Sequence, residues 1–231
     1  MTGTASQPTD APLASIVRDR VVPVVPWVAP GMARPLADAL AAGGLGALEV
    51  TLRFDGALEA IRAIGADGTG GVVVGAGTVL SAAQAEAAAE AGARFIVSPG
   101  ISAAVVRRCR ELGVSCIPGV ATATEVMAAL DEGLTLLKFF PAEASGGVAT
   151  LKALAAVFGG VRWVPTGGIG AAQLADYLGL PQVAAVGGSW MVLRELLEAG
   201  RLDEVTRLAA EAVAAAGAAG APTADRPGGA R

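Results

Sequence analysis

GALEVTLRFDGALEAIRAIGADGTGGVVVGAGT, residues 46–78, holds one complete period of the pattern that decides the fold. It opens on an apolar run (46–52), passes through an Ala/Leu/Ile segment of helical spacing (57–64) and closes on a β-branched run (72–75). Apolar residues at i, i+3, i+4 and i+7 bury one face of a helix, whereas a short apolar run bounded by glycine suits a strand covered on both faces. The unit is strand, helix, strand. Outward from it, further runs stand at Val21–Val25, 94–97, 114–117, 135–139, 161–164 and 183–186, and the onsets lie 20 to 26 residues apart. Helical segments at 35–42, 82–91, 103–112, 123–130, 148–157 and 171–178 fill the gaps. Eight such units predict an α/β fold, an eight-stranded parallel (β/α) barrel (TIM barrel) in a single domain. A doubly wound open sheet is the runner-up, disfavoured because Gly75-Ala76-Gly77 lacks the third glycine of a dinucleotide fingerprint.

The barrel is expected over residues 12–216, after a flexible segment 1–11 and before a disordered Ala/Gly/Pro tail at 217–231. Residues 10–20 read as a short helix closing the barrel bottom, and 201–216 as a terminal helix. MTGTASQPTDAPLAS has neither a basic start nor an apolar core, so no signal peptide is expected and a cytoplasmic location is. No run of about 18 apolar residues occurs, so no membrane association is expected, and the mean hydropathy of +0.57 points instead to a large core.

Composition then removes whole classes of chemistry. With no histidine among 231 residues, Ser-His-Asp and Cys-His nucleophiles, HExxH proteases and His-based zinc sites are excluded. Cys109 and Cys116 make neither a CxxC motif nor a disulfide framework and read as small buried hydrophobes. A net charge of -4 argues against a nucleic-acid surface and for small-molecule partners. Of 17 basic residues only Lys138 and Lys152 are lysines, which makes each worth locating.

In a barrel of this kind the active site lies at the carboxyl ends of the strands. Lys138 stands between Leu137 and Phe139, and strand alternation sends it to the face opposite both. If those neighbours face the helices, Lys138 faces the axis, where desolvation favours the neutral amine that a Schiff-base nucleophile needs. The competing reading is an inert internal ion pair with Glu49, or a lysine that snorkels to the rim. Glu49 is an acidic residue inside the second strand run, able to approach Lys138 across the mouth and relay protons; alternatively it neutralises Arg53. Arg53, in the following loop, can clamp a carboxylate. Thr166-Gly167-Gly168 and Gly187-Gly188-Ser189 follow the seventh and eighth runs, where exposed backbone N–H groups can cradle a phosphate. Arg107, Arg108 and Arg110 read as a solvated helix face, Glu143 as an exposed loop residue, and Trp27, Trp163 and Trp190 as packing.

The segments VVPVV, GGLGALEVTLR, VGAGTVL, FIVSPG, LLKFFPAE, WVPTGGI and VGGSWMV, in this order from about residue 16 to about residue 213, resemble the 2-keto-3-deoxy-6-phosphogluconate (KDPG) aldolase family, some of whose members also act on 4-hydroxy-2-oxoglutarate. The resemblance implies a class I aldolase, a homotrimer of barrels without a metal or other cofactor, cleaving a phosphorylated 2-keto-3-deoxy sugar acid to pyruvate and glyceraldehyde 3-phosphate. It implies Lys138 as the Schiff-base residue and Glu49 as the proton-transfer residue. Arg53 and Thr78 are implied around the pyruvate moiety, with Pro99 and Phe140 lining it, and Thr166, Gly167, Gly168, Gly188 and Ser189 at the phosphate end. Two departures stand out: Pro26-Trp27 follows the first run in place of aliphatic residues, and Ser145 replaces a common asparagine. Either can alter aldehyde preference; neither touches the proposed chemistry. Two other classes compete with this reading, a barrel that binds or isomerises a phosphosugar without covalent catalysis and a catalytically silent assembly subunit. Neither requires Lys138.

Overall fold

The computed structural model describes residues 11–29, 31–66 and 71–220. In chain order the elements are α1 (Ala11–Asp19), β1 (Val21–Val25), α2 (Ala33–Ala42), β2 (Ala47–Thr51), α3 (Ala57–Gly65), β3 (Val73–Gly77), α4 (Ala82–Glu90), β4 (Phe95–Val97), α5 (Ala103–Leu112), β5 (Ser115–Ile117), β6 (Gly119–Val120), α6 (Ala123–Asp131), β7 (Leu136–Phe139), α7 (Gly147–Val157), β8 (Arg162–Pro165), α8 (Leu174–Leu178), β9 (Val186–Gly188), α9 (Arg194–Glu198) and α10 (Leu202–Ala218). Short 3₁₀ turns precede α7 (Glu143–Ser145) and α8 (Ala171–Gln173).

All pairings are parallel, and they form a barrel-like arrangement of two sheets. One runs β5-β4-β3-β2-β1-β9 and the other β6-β7-β8. The sheets meet along both edges. Between β5 and β6 only Pro118 intervenes; it has no N–H to donate, so the ladder stops there, while its carbonyl accepts from Lys138 N at 2.9 Å. On the other side, isolated parallel bridges Trp163↔Val183 and Thr166↔Gly187 join β8 to the chain around β9.

Side-chain alternation divides the core in two. Val22, Phe95, Val97, Ile117, Leu136 and Val164 form an inner cluster enclosed by the strands, and Ile16 of α1 plugs its lower end. Leu48, Val50, Ile96, Leu137, Phe139 and Trp163 belong to the outer cluster packed under the helices. Helices after the strands start close to the strand ends because their N-caps are well supplied. Ser81 and Ser102 cap α4 and α5, and Thr122 caps α6 in a reciprocal box with Glu125. The N–H of Ala121, then the hydroxyl and N–H of Thr122, hold the Glu125 carboxyl below its ordinary pKa.

Several boundaries differ from those the sequence predicts. The run 183–186 is fully buried but joins β8 only through the isolated bridge at Val183, whose N–H turns back to Leu180 O at 3.0 Å, so the continuously paired strand is Val186–Gly188 against β1. Apolar runs report burial and not ladder position. The segment 171–178 splits into a 3₁₀ turn and a five-residue helix, and α9 was not expected at all. The last helix continues to Ala218, two residues into the expected tail. Residues 1–10 of the expected flexible segment and 221–231 of the expected tail lie outside the described residues. Among the described residues no helix is long and apolar enough to cross a membrane.

Candidate active site

Strand register places the lysine. In β7, Lys138 pairs with Gly119 on one side and Val164 on the other, while Leu137 and Phe139 point into the helix layer. The ammonium therefore enters the barrel interior directly above the inner apolar cluster, where the residue is 5% exposed. From the opposite wall Glu49 of β2, 4% exposed, brings Oε1 to 3.5 Å from Lys138 Nζ. That contact is a charge pair and not an aligned hydrogen bond: Glu49 Oε1 is buried without a hydrogen-bond partner. An unmet buried carboxylate oxygen keeps its capacity to take or give a proton.

Neighbouring backbone makes room for this approach. A Cβ at Gly77 would collide with the Glu49 carboxylate, so only glycine lets Glu49 lean across β3. The next residue, Thr78, sits at φ +56°, a left-handed conformation that a β-branched residue adopts only under strain of about 1–3 kcal/mol. Phe140 places its ring centroid 5.0 Å from Lys138 Nζ, favourable for the protonated amine. Arg53 is exposed at the rim, where its Nε donates to Thr51 Oγ1 at 3.3 Å and Thr51 in turn donates to Val25 O at 3.2 Å. Among the described residues it makes no ion pair, so Glu49 pairs with Lys138 and not with Arg53.

Across the mouth, Gly167 and Gly168 take φ +105° and +81° after β8, and Gly187 packs its bare Cα against Thr166 Oγ1. Ser189 follows. Here the main chain lies open without Cβ atoms in the way, which suits close approach of an anion to peptide groups.

One cavity of about 240 Å³ is lined by Lys138, Glu49, Arg53, Thr78, Pro99 and Phe140 together with Thr166, Gly167, Gly168, Gly188 and Ser189. Every residue expected at the site from the sequence thus meets in a single space. Val24, Thr51 and Ile169 line it as well. Thr51 was legible, since it lies two residues from Glu49 and shares its face; Val24 and Ile169 carry no chemical signal. A wider groove of about 920 Å³ lies at the other end of the strands, where its charged lining among the described residues is limited to Glu90 and Arg94. Size and chemistry disagree here, and the smaller cavity holds the reactive groups.

The residues weighed as background behave as such. Arg107 and Arg110 pair with Glu132, and Arg108 with Glu86 and Glu111, on the surface. Trp163 is fully buried, and Trp190 packs over Gly188. Both cysteines are buried and unbridged. Glu143 is exposed as expected, but its carboxylate accepts from the hydroxyl of buried Tyr177.

Comparison with known proteins bears on the family and the fold. The KHG/KDPG aldolase of Escherichia coli K12 is 48% identical over 193 residues, covering 84% of this chain and 90% of that protein. The 2-keto-3-deoxy-6-phosphogluconate aldolase of Zymomonas mobilis ZM4, solved with 3-phosphoglycerate, superposes with a TM-score of 0.81 at 45% identity over 87% of this chain and 95% of that one. A Legionella pneumophila KDPG aldolase with pyruvate captured as a covalent carbinolamine gives a TM-score of 0.82 at 40% identity over 86% and 96%. Because a family model for KDPG and KHG aldolase matches residues 14–208, and relatives of that name share nearly half of its residues, the chain belongs to the KDPG and KHG aldolase family.

Proposed function

We propose that the protein is a class I aldolase that reversibly cleaves 2-keto-3-deoxy-6-phosphogluconate to pyruvate and glyceraldehyde 3-phosphate, and 4-hydroxy-2-oxoglutarate to pyruvate and glyoxylate. The observation that carries the reading is the buried Lys138 amine, 3.5 Å from a carboxylate oxygen that has no hydrogen-bond partner. Neutral Lys138 attacks the C2 carbonyl of the substrate, and the resulting carbinolamine loses water with a proton from Glu49. The iminium draws electrons from the C3–C4 bond while Glu49 takes the proton of the C4 hydroxyl. The aldehyde departs and an enamine remains. Protonation at C3 and hydrolysis of the iminium release pyruvate and the free amine. Arg53 holds the substrate carboxylate, Thr78, Pro99 and Phe140 enclose the pyruvate half, and Thr166, Gly167, Gly168, Gly188 and Ser189 receive the phosphate.

In this reading the iminium is the electron sink, so no metal or other cofactor is required. Counting β5 and β6 as one strand bent at Pro118 gives an eight-stranded ring, and residues 12–216 form its single catalytic unit. A homotrimer belongs to the same proposal. So does a cytoplasmic setting, since a phosphorylated sugar acid does not leave the compartment where it is made.

The test is reductive trapping. Borohydride added with pyruvate is expected to inactivate the protein irreversibly and to label Lys138 on peptide mapping. Lys152, exposed on α7, is expected to stay unlabelled. Label on Lys152, or continued activity after full reduction, overturns the Schiff-base assignment.

A further inference from the structure

One polar pair beside the site, a buried phenol and an exposed carboxylate, has no part in the steps above. Tyr177 of α8 is fully buried, and its hydroxyl donates to Glu143 Oε1, 34 residues earlier in the 3₁₀ turn after β7. Burial first, then the neighbouring carboxylate, hold the phenol well above its ordinary pKa, so it remains a donor.

Glu143 stands on the outer wall of the glycine cradle. Its N–H donates to Gly167 O at 3.0 Å, and Ala142 N donates to Thr166 O at 2.9 Å, so the turn after β7 is stitched to the turn after β8. The base of the side chain lies so near Gly168 that a Cβ there would come within 2.9 Å of Glu143 Cβ and 3.0 Å of Cγ. The carboxylate end points away, toward Gly147 at the start of α7, where a Cβ would lie 3.4 Å from both Glu143 Oε1 and Tyr177 Oη. A helix N-terminus stabilises a carboxylate parked there. Rotation about the glutamate side-chain bonds would instead carry the charge past Gly168, toward the space that receives an anion. Like charges at such range repel, and a dianion suffers most.

We propose that Tyr177 is a positioning residue for phosphorylated substrate: its hydroxyl keeps the Glu143 carboxylate beside Gly147 and so leaves the cradle at Gly167, Gly168, Gly188 and Ser189 open to a phosphate dianion. The inference rests on the phosphate-end reading given above. It predicts a selectivity effect that general loosening of the fold would not give, because the pair touches the cradle wall and neither Lys138 nor Glu49.

Steady-state kinetics of Tyr177→Phe on 2-keto-3-deoxy-6-phosphogluconate and on unphosphorylated 4-hydroxy-2-oxoglutarate test it. The expected result is a KM raised about tenfold for the phosphorylated substrate, with kcat on it and kcat/KM on the other within twofold of the parent. Adding Glu143→Gln to that variant is expected to restore the KM, since the displaced charge is gone. Glu143→Gln alone should leave the KM unchanged or lower it, and this arm decides the matter if Tyr177→Phe does not fold. An unchanged KM in Tyr177→Phe, an equal loss on both substrates, no rescue in the double variant, or a KM raised by Glu143→Gln alone would each overturn the inference. Ser189→Ala run in parallel separates the two levels. If it affects both substrates alike, the phosphate end itself is misplaced; if it discriminates while Tyr177→Phe does not, only the role of Tyr177 fails.

Discussion

The two ends of the strands bury the same kinds of group to opposite effect. At the entry end, Arg20 is 6% exposed and sits at φ +60°, a buried cation on a strained backbone. Its guanidinium donates to Leu178 O at 3.0 Å, to Ala216 O and to Gly220 O, closing the ends of α8 and α10, and only its Nε is left over. Beside it Asp19 accepts from Gly46 N at 2.6 Å and pairs with Arg18. At the exit end Lys138 is as buried, and Thr78 at φ +56° is as strained. Yet Lys138 meets one loosely placed carboxylate and about 240 Å³ of open space. Burial and strain alone therefore do not mark chemistry. Unspent hydrogen-bonding capacity facing an empty volume does.

The hardest blow to this contrast would come from removing the exit-end pair. Lys138→Met is expected to abolish turnover, by at least ~10⁴-fold, because among the described residues no other amine lines the cavity. It should also destabilise the fold by about 3–5 kcal/mol, since Glu49 would be left as a lone buried charge. The double variant Lys138→Met/Glu49→Leu is expected to be equally inactive yet as stable as the parent or up to about 4 kcal/mol more stable in urea unfolding. A double variant much less stable than the parent would show that the pair is structural, like Arg20, and the contrast would fail.

Glu49→Gln sharpens the comparison from the other partner. Glutamine keeps the size but cannot take a proton, so turnover should fall by ~10²–10⁴-fold. Pyruvate should still enter on Arg53, exchange of its methyl protons with deuterated water should be slow, and borohydride should still trap Lys138 after long incubation. Exchange at the parental rate would leave Glu49 as a mere charge partner of Lys138.

Much of this was legible before any coordinates, for physical reasons that also set the limit. Residues 135–139 had to place Leu137 and Phe139 on one face and Lys138 on the other, because a strand alternates. The glycine turns were legible because a loop that receives an anion uses bare backbone. What escaped was whatever depends on partners distant in the chain. Nothing local tells that Pro118 divides a strand, that the run from Val183 makes only a single bridge to Trp163 before continuous pairing begins at Val186, or that Tyr177 finds Glu143. The role of Gly77 appears only when Glu49 is seen to fill the space a side chain would occupy.

At the entry end the expected response is the reverse of that at the exit. Arg20→Met keeps the stem in the core but withdraws the donors from the carbonyls of Leu178, Ala216 and Gly220. It should lower stability by about 1–3 kcal/mol, the relief of guanidinium desolvation offsetting part of the loss. Values of kcat and KM should stay within twofold of the parent. A large fall in kcat would mean that the two ends are mechanically coupled and cannot be treated as separate regions.

The smallest expected effect lies at the border of the two behaviours, in a side chain that is buried and satisfied but belongs to the site. Thr51 is 1% exposed; its hydroxyl donates to Val25 O and accepts from Arg53 Nε, so it links the strand layer to the one rim cation expected to hold the substrate carboxylate. Thr51→Val preserves shape and β-branching while removing both contacts, at a stability loss of about 0.5–1.5 kcal/mol. Freed from this anchor, Arg53 must be ordered by the substrate, so KM should rise by about threefold to tenfold with kcat little changed. Because the carboxylate is common to every substrate of this reaction, phosphorylated and unphosphorylated compounds should suffer alike, unlike the discrimination expected at Ser189. Thr51→Ser keeps the hydroxyl and should recover most of the affinity. An unchanged KM in Thr51→Val would mean that Arg53 needs no preorganisation, and that order at the exit end stops at the strand and does not extend to the rim.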